Sequence, residues 1–564
     1  MPYHPVLVVG GGLAGLRAAL EARFQGVEAA VLSLVHPLRS HSGAAQGGVN
    51  APLANSEEGK DDTPERHAYE TVVGSDFLAD QNAVEAMTRE APERIFELEH
   101  WGAPFSRTPQ GKIAQRPFGG GAFPRTCYAA DRTGHYLLHT LYQQALKYRV
   151  KVYIEWTALS LVVDQGRVQG VVALHLPSGE METFSAGAVI MATGGAGRLY
   201  LKSTNALINT GYGLALAYTA GAPLKDMEFI QFHPTSLYGS NILISEAARG
   251  ERGYLLNSQG QRFMQKYAPR FMELAPRDIV ARSVITELKE GRGFDGAYVL
   301  LDLRHLGAQR ILERLPGIRE LAISFAGVDP IEKPIPVEPA QHYTMGGMDC
   351  NIWGESPLPG LLACGECACV SVHGANRLGG NSLLETVVFG QRAGRRAAEL
   401  ARAGASPLEE PLKKALEKAR TRIEELKRGN GNEDPASIRE EMRRAMWEGV
   451  GIFREKEGLE GGIARLQELR ERACCLRPAH RGKFFNQDLL RCWELPGQLL
   501  VAEAVARGAL RREESRGSHF RLDFPRRDDD RFLHHTLAHL TPEGPRLEPR
   551  EVAITRWPPE VRKY

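Results

Sequence analysis

A glycine-rich run near the start of the chain, GGGLAG at residues 10–15, leaves few folds open to it. An apolar stretch at residues 5–9 precedes the run and predicts a buried strand, and residues 16–24 continue as a helix. Gly10, Gly12 and Gly15 match G-x-G-x-x-G, in which the glycines permit a tight turn, a close backbone approach to a pyrophosphate and close helix packing. The N–H groups that begin the helix then face the phosphates. Residues 5–24 therefore predict a Rossmann-like α/β unit that binds a dinucleotide.

The usual acidic ligand for the nucleotide ribose is missing from this unit. The second predicted strand, residues 29–34, ends in Ser33-Leu34, where an NAD site carries Asp or Glu. This argues against a plain NAD site and leaves FAD open. A second glycine turn closes a predicted buried strand at residues 188–195 and offers another backbone approach to the cofactor.

Composition narrows the class of protein. At 564 residues the chain is too long for one core, so three or four domains are expected. Its formal net charge of +2, with no basic stripe, argues against nucleic acid as a partner. No apolar run approaches the ~20 residues of a membrane span, and the first strand begins too early for a signal or transit peptide. We therefore expect a soluble protein made in a prokaryotic cytoplasm.

Cysteine usage predicts neither disulfides nor a metal site. Eight cysteines in a chain of this length are not a disulfide framework. Cys364, Cys367 and Cys369 have the spacing of part of a metal site, but no second cluster follows and the run is apolar. Buried structural thiols, with no bound metal, are the better interpretation.

Changes in composition and in apolar periodicity divide the chain into five segments. Strands, glycine turns and helices alternate over residues 1–237 and again over 339–405, which predicts one FAD-binding domain in two parts. Residues 238–338 mix helical patterns with short apolar runs and are predicted to be an inserted α+β capping domain. Residues 406–510 carry apolar helix faces and predict a helical bundle domain. Residues 511–564 are predicted to form an extended C-terminal region.

Side chains with useful chemistry lie in short motifs outside the fingerprint. His41 lies in RSHSGAAQGG at residues 39–48, and an imidazole beside an isoalloxazine ring can bond to the 8α-methyl carbon of the flavin. A small dicarboxylate needs cations with a planar fork, which Arg277 and Arg377 could supply. His233 and His342 could donate hydrogen bonds to the same ligand. These motifs together favour a flavin beside an anion site.

Most of these motifs also have a purely structural interpretation. His233 and His342 are each compatible with a hydrogen-bonded histidine of the core. Arg277-Asp278 could be an ion pair at a helix start. Glu246 and Arg249, at i and i+3, could form a surface pair. The motifs alone leave these alternatives open.

Taken together, the motifs resemble the flavoprotein subunit of succinate dehydrogenase and fumarate reductase, the complex II family. The similarity runs over nearly the whole chain. The segment at residues 116–126 is more typical of the succinate dehydrogenase branch. The matching blocks are residues 39–48, 115–120, 130–135, 192–200, 231–235, 373–382 and 514–517.

The resemblance implies an oxidoreductase that oxidises succinate to fumarate, or works as a fumarate reductase, by hydride transfer with flavin N5. It implies that FAD is bound covalently through His41. The residues implied to line FAD are Gly10, Gly11, Gly12, Ala14, Gly15, Ser33, Ser40, Ser42, Gln46, Gly47, Gly48, Glu366, Arg377, Ser382 and Leu383. The residues implied to bind the dicarboxylate are His233, Ser245, His342, Arg377 and Phe118. Arg277 would transfer the proton, linked to solvent through Glu246 and Arg249.

The resemblance also implies partner subunits. Since the chain has no cysteine pattern for a cluster and no apolar span, an iron–sulfur subunit and membrane anchor subunits with quinone would supply both. The chain would then be peripheral, on the cytoplasmic face of a prokaryotic inner membrane.

Three points qualify the resemblance. The family commonly has Asp where Tyr212 stands, and that Asp is associated with FAD, so this part of the cofactor must be bound differently or more weakly. Ser245 replaces a family Thr but keeps the hydroxyl. A guanidinium hardly deprotonates in proteins, so Arg277 would accept a proton only as it donates one towards Glu246.

Two alternative functions remain compatible with parts of the sequence. L-Aspartate oxidase shares the fold and much of the dicarboxylate site, but lacks the histidine equivalent to His41. A non-catalytic flavin-binding or assembly protein would not need His233, Glu246, Arg277, His342 and Arg377 together, and all five are present.

Overall fold

The computed structural model describes residues 1–404 and 408–562, which form four sheets with helices packed around them. The strands are β1 (Tyr3–Val9), β2 (Ala29–Ser33), β3 (Val49–Asn50), β4 (Gln115–Arg116), β5 (Thr126–Cys127), β6 (Lys151–Ile154), β7 (Trp156–Asp164), β8 (Arg167–His175), β9 (Glu180–Met191), β10 (Leu224–Lys225), β11 (Ile230–Leu237), β12 (Tyr254–Leu256), β13 (Val299–Asp302), β14 (Ile335–Thr344), β15 (Gly347–Asp349), β16 (Leu361–Ala363), β17 (Ala368–Cys369), β18 (His534–Thr541) and β19 (Gly544–Glu551).

The α-helices connect and cover these strands. They are α1 (Leu13–Phe24), α2 (Pro64–Gly74), α3 (Gln81–His100), α4 (Thr133–Lys147), α5 (Tyr212–Thr219), α6 (Glu246–Gly250), α7 (Met264–Tyr267), α8 (Arg277–Lys289), α9 (Ala308–Arg314), α10 (Pro316–Ala326), α11 (Asn381–Ala403), α12 (Glu409–Arg428), α13 (Pro435–Gly449), α14 (Lys456–Arg472), α15 (Gln487–Arg511) and α16 (Asp529–Phe532).

A largely parallel sheet carries the glycine fingerprint. Its strand order is β6-β2-β1-β9-β8-β7, and β16 also pairs with β9. Strands β6, β2, β1, β9 and β16 run parallel, whereas β8 and β7 return antiparallel. Because β1 and β2 are joined through α1, the first 33 residues form the βαβ unit that the fingerprint predicts. The predicted Rossmann-like α/β fold is confirmed.

Close packing of α11 on α1 depends on glycines. A Cβ atom on Gly390 would lie 2.8 Å from the carbonyl oxygen of Ala14, and one on Gly394 would lie 2.3 Å from that of Ala18. Any larger residue would therefore push the helices apart. Since α11 begins beside the fingerprint, this contact brings its first turn to the same end of the sheet.

A second, smaller core lies in the segment predicted as the capping domain. Strands β11, β14, β13 and β12 form an antiparallel sheet, and its apolar side chains cluster with those of α8, α9 and α10. The segment thus has the predicted mix of helices and strands. The predicted boundary at 338/339 falls inside β14, and the one at 405/406 falls among residues 405–407, outside the described residues. The domain limits themselves stay predictions.

The C-terminal half adds a helical bundle and a hairpin. Helices α13, α14 and α15 pack on one another, while α12 packs on β7 and β8. The extended C-terminal region contains the β18–β19 hairpin, which the sequence did not predict. Its partner strand β10 is some 300 residues earlier in the chain, so no local pattern announces the pairing. Within the described residues, no helix is both long and apolar enough to cross a bilayer.

A buried histidine joins this hairpin to the rest of the molecule. His535 on β18 contacts Asp226 through Nδ1 at 2.7 Å and Asp80 through Nε2 at 3.1 Å. Burial alone would lower the pKa of His535, but the two carboxylates raise it to about 9. Both ring nitrogens therefore donate, and the charged imidazolium links β18 to the loop after β10 and to the start of α3.

We predict that His535 stabilises the fold in a pH-dependent way. A folded pKa near 9, above the ordinary 6.5, means that its contribution is complete below about pH 6.5 and is lost as the pH rises through 9. His535→Gln should cost about 3–5 kcal/mol at pH 6.5 and much less at pH 9.5, as measured by thermal melting of the full chain.

The control is His539→Gln, a change on the same strand to a side chain that is about one-third exposed. It should leave the pH dependence of the parent intact. A stability difference between the parent and His535→Gln that stays constant from pH 6.5 to 9.5 would contradict the charged pair.

Candidate active site

One long cleft brings together residues from distant parts of the chain. Its walls come from the ends of β1, β2 and β9, from β11, and from α8, α11 and α15. Gly15 and Arg249 are the two predicted site residues that do not line it. The predicted residues on the wall are Gly10, Gly11, Gly12, Ala14, Ser33, Ser40, His41, Ser42, Gln46, Gly47, Gly48, Phe118, His233, Ser245, Glu246, Arg277, His342, Glu366, Arg377, Ser382 and Leu383.

The fingerprint forms a cradle that only glycine can line. Gly10 has φ +119°, and a Cβ atom there would lie 2.1 Å from the carbonyl oxygen of Ala192. A Cβ atom on Gly15 would lie 1.9 Å from the carbonyl oxygen of Gly10, so Gly15 acts by packing rather than by contact with a ligand. The Ser40 hydroxyl lies beside Gly12 and is buried with no hydrogen-bond partner among the described residues. The cradle and this hydroxyl fit the pyrophosphate of FAD.

His41 is neutral and held by one ring nitrogen. Its Nδ1 accepts a hydrogen bond from the backbone N–H of Ala206 at 3.3 Å. Burial, together with the nearby Arg198, lowers the pKa of His41 to about 4. The proton of the neutral ring therefore lies on Nε2.

The loop after His41 is fixed from two sides. The Arg116 guanidinium donates to the carbonyl oxygens of Gly47 and Ala130. The Gln46 side chain accepts from the backbone N–H of Ser245 at 3.2 Å and donates to the carbonyl oxygen of Leu243 at 3.1 Å. The glycine loop is thereby tied to the segment that starts α6.

Glu366 also lines the cleft and lies against Gly195, where an added Cβ atom would be 2.2 Å from its Oε1. Its Oε1 accepts a hydrogen bond from the backbone N–H of Thr344 at 3.0 Å. Burial raises the pKa of Glu366 to about 7. Ser382 and Leu383, in the first turn of α11, continue the same wall.

An ion-pair cluster occupies the capping side of the cleft. Arg277, the first residue of α8, contacts Glu246 Oε2 through Nε at 2.8 Å and through Nη2 at 2.7 Å. Arg249 Nη2 approaches the same oxygen at 3.9 Å, and the backbone N–H of Gly119 donates to the other oxygen at 2.7 Å. Burial alone would raise the pKa of Glu246, but the two guanidinium groups hold it below its usual value. Since all three side chains are buried, Glu246 and Arg249 are not a surface pair.

Gln231 holds two guanidinium groups together. Its Oε1 accepts from Arg277 Nη1 at 3.1 Å and from Arg377 Nη2 at 2.9 Å. Arg377 also lies over the ring of Tyr343, 4.4 Å from its centroid. Burial, with the charge of Arg277, lowers the pKa of Arg377 to about 9. Two adjacent buried cations at physiological pH make this part of the cleft an anion site.

Two histidines face the same space. The rings of His233 and His342 lie 5.0 Å apart, centroid to centroid. The Nδ1 of His233 contacts the backbone of Thr235, and the Nδ1 of His342 lies 2.7 Å from the Thr204 hydroxyl. Burial and the charge of Arg277 lower the pKa of each histidine well below its usual value. Both rings are therefore neutral hydrogen-bonding groups at the anion site.

Ser245 and Phe118 complete this end of the cleft. The Ser245 hydroxyl caps α6 by accepting from the backbone N–H of Ala247 at 3.2 Å, which leaves its own proton for another acceptor. Phe118 lies against Gly47, where an added Cβ atom would be 2.7 Å from the ring. An apolar face thus closes the anion site next to the glycine loop.

Away from the anion site, Tyr212 can act neither as an anion nor as a free hydrogen-bond donor. Its hydroxyl donates to the carbonyl oxygen of Leu159 at 2.8 Å and accepts from Trp493 Nε1 at 2.7 Å. Beside it, Glu494 of α15 lines the cleft. Position 212 therefore holds a hydrogen-bonded aromatic ring.

Sequence reasoning missed several residues of the site. The sequence assigns no role to Gln231. Its position two residues before His233 on one strand is a usable signal, because alternate residues of a strand face the same side. Thr204, Arg198 and Glu494 had no signal, because each reaches its partner across more than 130 residues of chain.

Of the described cysteines, Cys364 lines the cleft. Cys364, Cys367 and Cys369 are buried, and burial raises the pKa of each thiol. In the described part of the chain, no group of three or more His, Cys, Asp or Glu side chains could hold a metal ion.

Comparisons with known proteins agree with this geometry. The model of an FAD binding domain matches residues 5–383, and that of the fumarate reductase flavoprotein C-terminus matches residues 439–564. The fumarate reductase flavoprotein subunit of Mycobacterium tuberculosis is 47% identical over all of this chain and 99% of its own length. The succinate dehydrogenase flavoprotein subunit of Rickettsia bellii is 46% identical over 99% of this chain and 96% of its own.

A solved structure agrees as well. FrdA of a mutated E. coli quinol fumarate reductase superposes with a TM-score of 0.96 at 43% identity, over 100% of this chain and 99% of that one. Sequence, fold and cleft therefore give one assignment: the chain is an FAD-binding oxidoreductase that belongs to the family of succinate dehydrogenase and fumarate reductase flavoprotein subunits.

Proposed function

We propose that this chain oxidises succinate to fumarate, and can work in reverse, with FAD bound covalently through His41. The observation that carries the proposal is the pair of guanidinium groups, Arg277 and Arg377, that share one oxygen of Gln231 in the cofactor cleft. Bound FAD supplies flavin N5 as the hydride acceptor. The reaction then needs a site that holds a dianion beside the cofactor and removes one proton.

The anion end of the cleft is suited to a small dicarboxylate. Arg377 offers a planar cationic fork, and His233, His342 and Ser245 offer neutral donors within the same space. Arg277 and Arg377 supply positive charge for the two carboxylates, and the uncharged histidines add donors without adding buried cations. Phe118 adds an apolar wall, which keeps water from the substrate methylenes.

Proton removal is assigned to Arg277 acting with Glu246. Both Nε and Nη2 of Arg277 lie within 2.8 Å of one Glu246 oxygen, so a proton can leave the guanidinium as another arrives. This concerted transfer avoids a free neutral arginine, which would be very unfavourable. Arg249, 3.9 Å from the same oxygen, would continue the path towards solvent.

The neutral His41 supports the covalent link. Its Nδ1 accepts from the Ala206 N–H, so Nε2 is the nitrogen that would bond to the flavin 8α carbon. In that step Nε2 would lose its proton, the 8α carbon would lose a proton, and the oxidised flavin would take up the two electrons. The remaining FAD contacts are assigned to the residues of the cradle, to Glu366 and to the first turn of α11.

Electrons would leave through partner subunits. The described part of the chain has no cysteine cluster and no membrane-spanning helix, and a relative with 43% identity is a quinol fumarate reductase. We therefore assign an iron–sulfur subunit and membrane anchor subunits with quinone as partners. The chain would lie on the cytoplasmic face of a prokaryotic inner membrane, held there through those subunits.

Arg277→Lys should abolish most turnover without abolishing ligand binding. Lysine keeps the charge but cannot place two N–H groups on Glu246, so proton transfer should slow by about 10²–10⁴-fold. Turnover is measured with succinate and an artificial electron acceptor. Fumarate binding, followed by the flavin absorbance change, should weaken far less.

The matched control for this change is Arg282→Lys on the same helix. Arg282 lies outside the cleft and contacts Asp278 and the carbonyl oxygen of Gly517, so its variant should keep most of the turnover. Near-normal turnover with an unchanged pH profile in Arg277→Lys would overturn the proton-transfer role.

His41→Ala should remove the covalent flavin. The parent, purified and run on a denaturing gel, should show a fluorescent band that the variant lacks. His36→Ala is the control, because this nearby histidine caps a short turn and should leave the band unchanged.

Two results would contradict the covalent link. A parent that releases all its FAD on denaturation would favour the L-aspartate oxidase alternative, which lacks such a histidine. A fluorescent band that persists in His41→Ala would place the attachment elsewhere.

A further inference from the structure

We propose that Glu494 supplies the carboxylate that binds the ribose hydroxyls in the adenosine half of FAD. The inference deepens the proposed function, because it rests on the FAD site assigned to the same cleft. The sequence lacks two carboxylates that could bind this part of the cofactor, one at the end of β2 and one at position 212.

The first missing carboxylate is the one at the end of β2. In dinucleotide-binding folds an acidic residue at this point accepts hydrogen bonds from the ribose. Here the strand ends in Ser33, whose hydroxyl donates to the carbonyl oxygen of Val35 at 2.6 Å. Ser33 is thus committed to its own turn and provides no negative charge.

The second missing carboxylate is the family Asp at position 212. The Tyr212 hydroxyl is committed to Leu159 and Trp493, as described above. Tyrosine at this position cannot replace a carboxylate, since burial raises its pKa far above the physiological range.

Glu494 lies at this same end of the cleft. Leu34, just after β2, and Trp493, next to Glu494, pack on one apolar cluster that contains Leu159, whose carbonyl oxygen accepts from Tyr212. Residues 33–35, residues 156–158 and the start of α5 all line the cleft. A Cβ atom on Gly497, one turn after Glu494 on α15, would lie 3.3 Å from the Tyr212 ring. Glu494 therefore lies next to the vacated Asp position and near the end of β2, where the Rossmann fold places the ribose.

The other acidic residues of the cleft are less suited than Glu494 to bind the ribose. Of the described residues that line the cleft, Glu246, Glu366 and Glu494 are the acidic ones. Glu246 is bound by Arg277, and Glu366 accepts from the backbone N–H of Thr344. Both hydrogen bonds that Glu494 accepts, from Thr210 at 3.4 Å and Gln498 at 3.1 Å, go to its Oε2.

The electrostatics of Glu494 agree with such a ligand. Burial raises its pKa to about 7, because the two neutral donors compensate the buried charge only in part. Two ribose hydroxyls would supply the donors that the charged form lacks.

The test compares FAD with an analogue whose adenosine ribose lacks both hydroxyls. The full chain carrying His41→Ala, freed of flavin, is titrated with each ligand, and flavin fluorescence reports binding without any turnover. This parent should bind FAD about 10-fold tighter than the analogue or more, as expected for hydrogen bonds to a charged group. Equal affinity for the two ligands would overturn the proposal by itself.

Glu494→Gln in the same background should reduce this preference to about twofold or less. Glu366→Gln is the matched control: it removes another cleft carboxylate whose pKa burial also raises to about 7, and it should leave the preference unchanged even if overall affinity falls. A preference that survives in Glu494→Gln would assign the ribose to another residue. Succinate turnover, measured separately in the chain with His41 intact, tests the proposed function independently.

Discussion

The architecture of the site depends on the buried carboxylate of Glu246. Placing Arg277 and Arg249 in a dry interior would be very costly without a partner charge, and Glu246 provides it. The same carboxylate accepts from the backbone of Gly119, in the loop that brings Phe118 to the cleft. One side chain thus joins α6 and α8 of the capping segment to the loop between β4 and β5. Loss of Glu246 would leave Arg277 and Arg249 without a partner charge and would remove this contact of the capping segment.

Charge in the cleft is distributed by burial and by proximity. The guanidinium groups keep their charge, and that charge, added to burial, keeps His233, His342 and His41 neutral. Neutral imidazoles can donate to a carboxylate without adding further repulsion between cations. The cleft therefore has a cationic end for the substrate, and at its other end a carboxylate beside Tyr212. Between them, backbone N–H groups and glycines face the middle of the cofactor site.

Much of the fold could be predicted because its signals are local. A strand, a glycine turn and a helix follow one another within 24 residues, and the periodic apolar faces of α12, α13 and α14 are visible in short windows. The β18–β19 hairpin and the Gln231 bridge could not be predicted in this way. Their partners come from strands and loops that are remote in the chain. The polar composition near the C-terminus also gives no strand pattern for the hairpin.

Sequence by itself determined the Rossmann-like unit, the family and the identity of most side chains on the cleft wall, because glycine spacing and motif blocks act over short stretches. Tertiary structure alone decided how those side chains are used. It placed Arg277 and Arg377 on one Gln231 oxygen, buried Glu246 and Arg249, and set Glu494 beside Tyr212. These contacts follow from the packing of α8, α11 and α15 around a single cleft. The energy of a buried charge depends on which groups surround it in space, and short motifs do not carry that information.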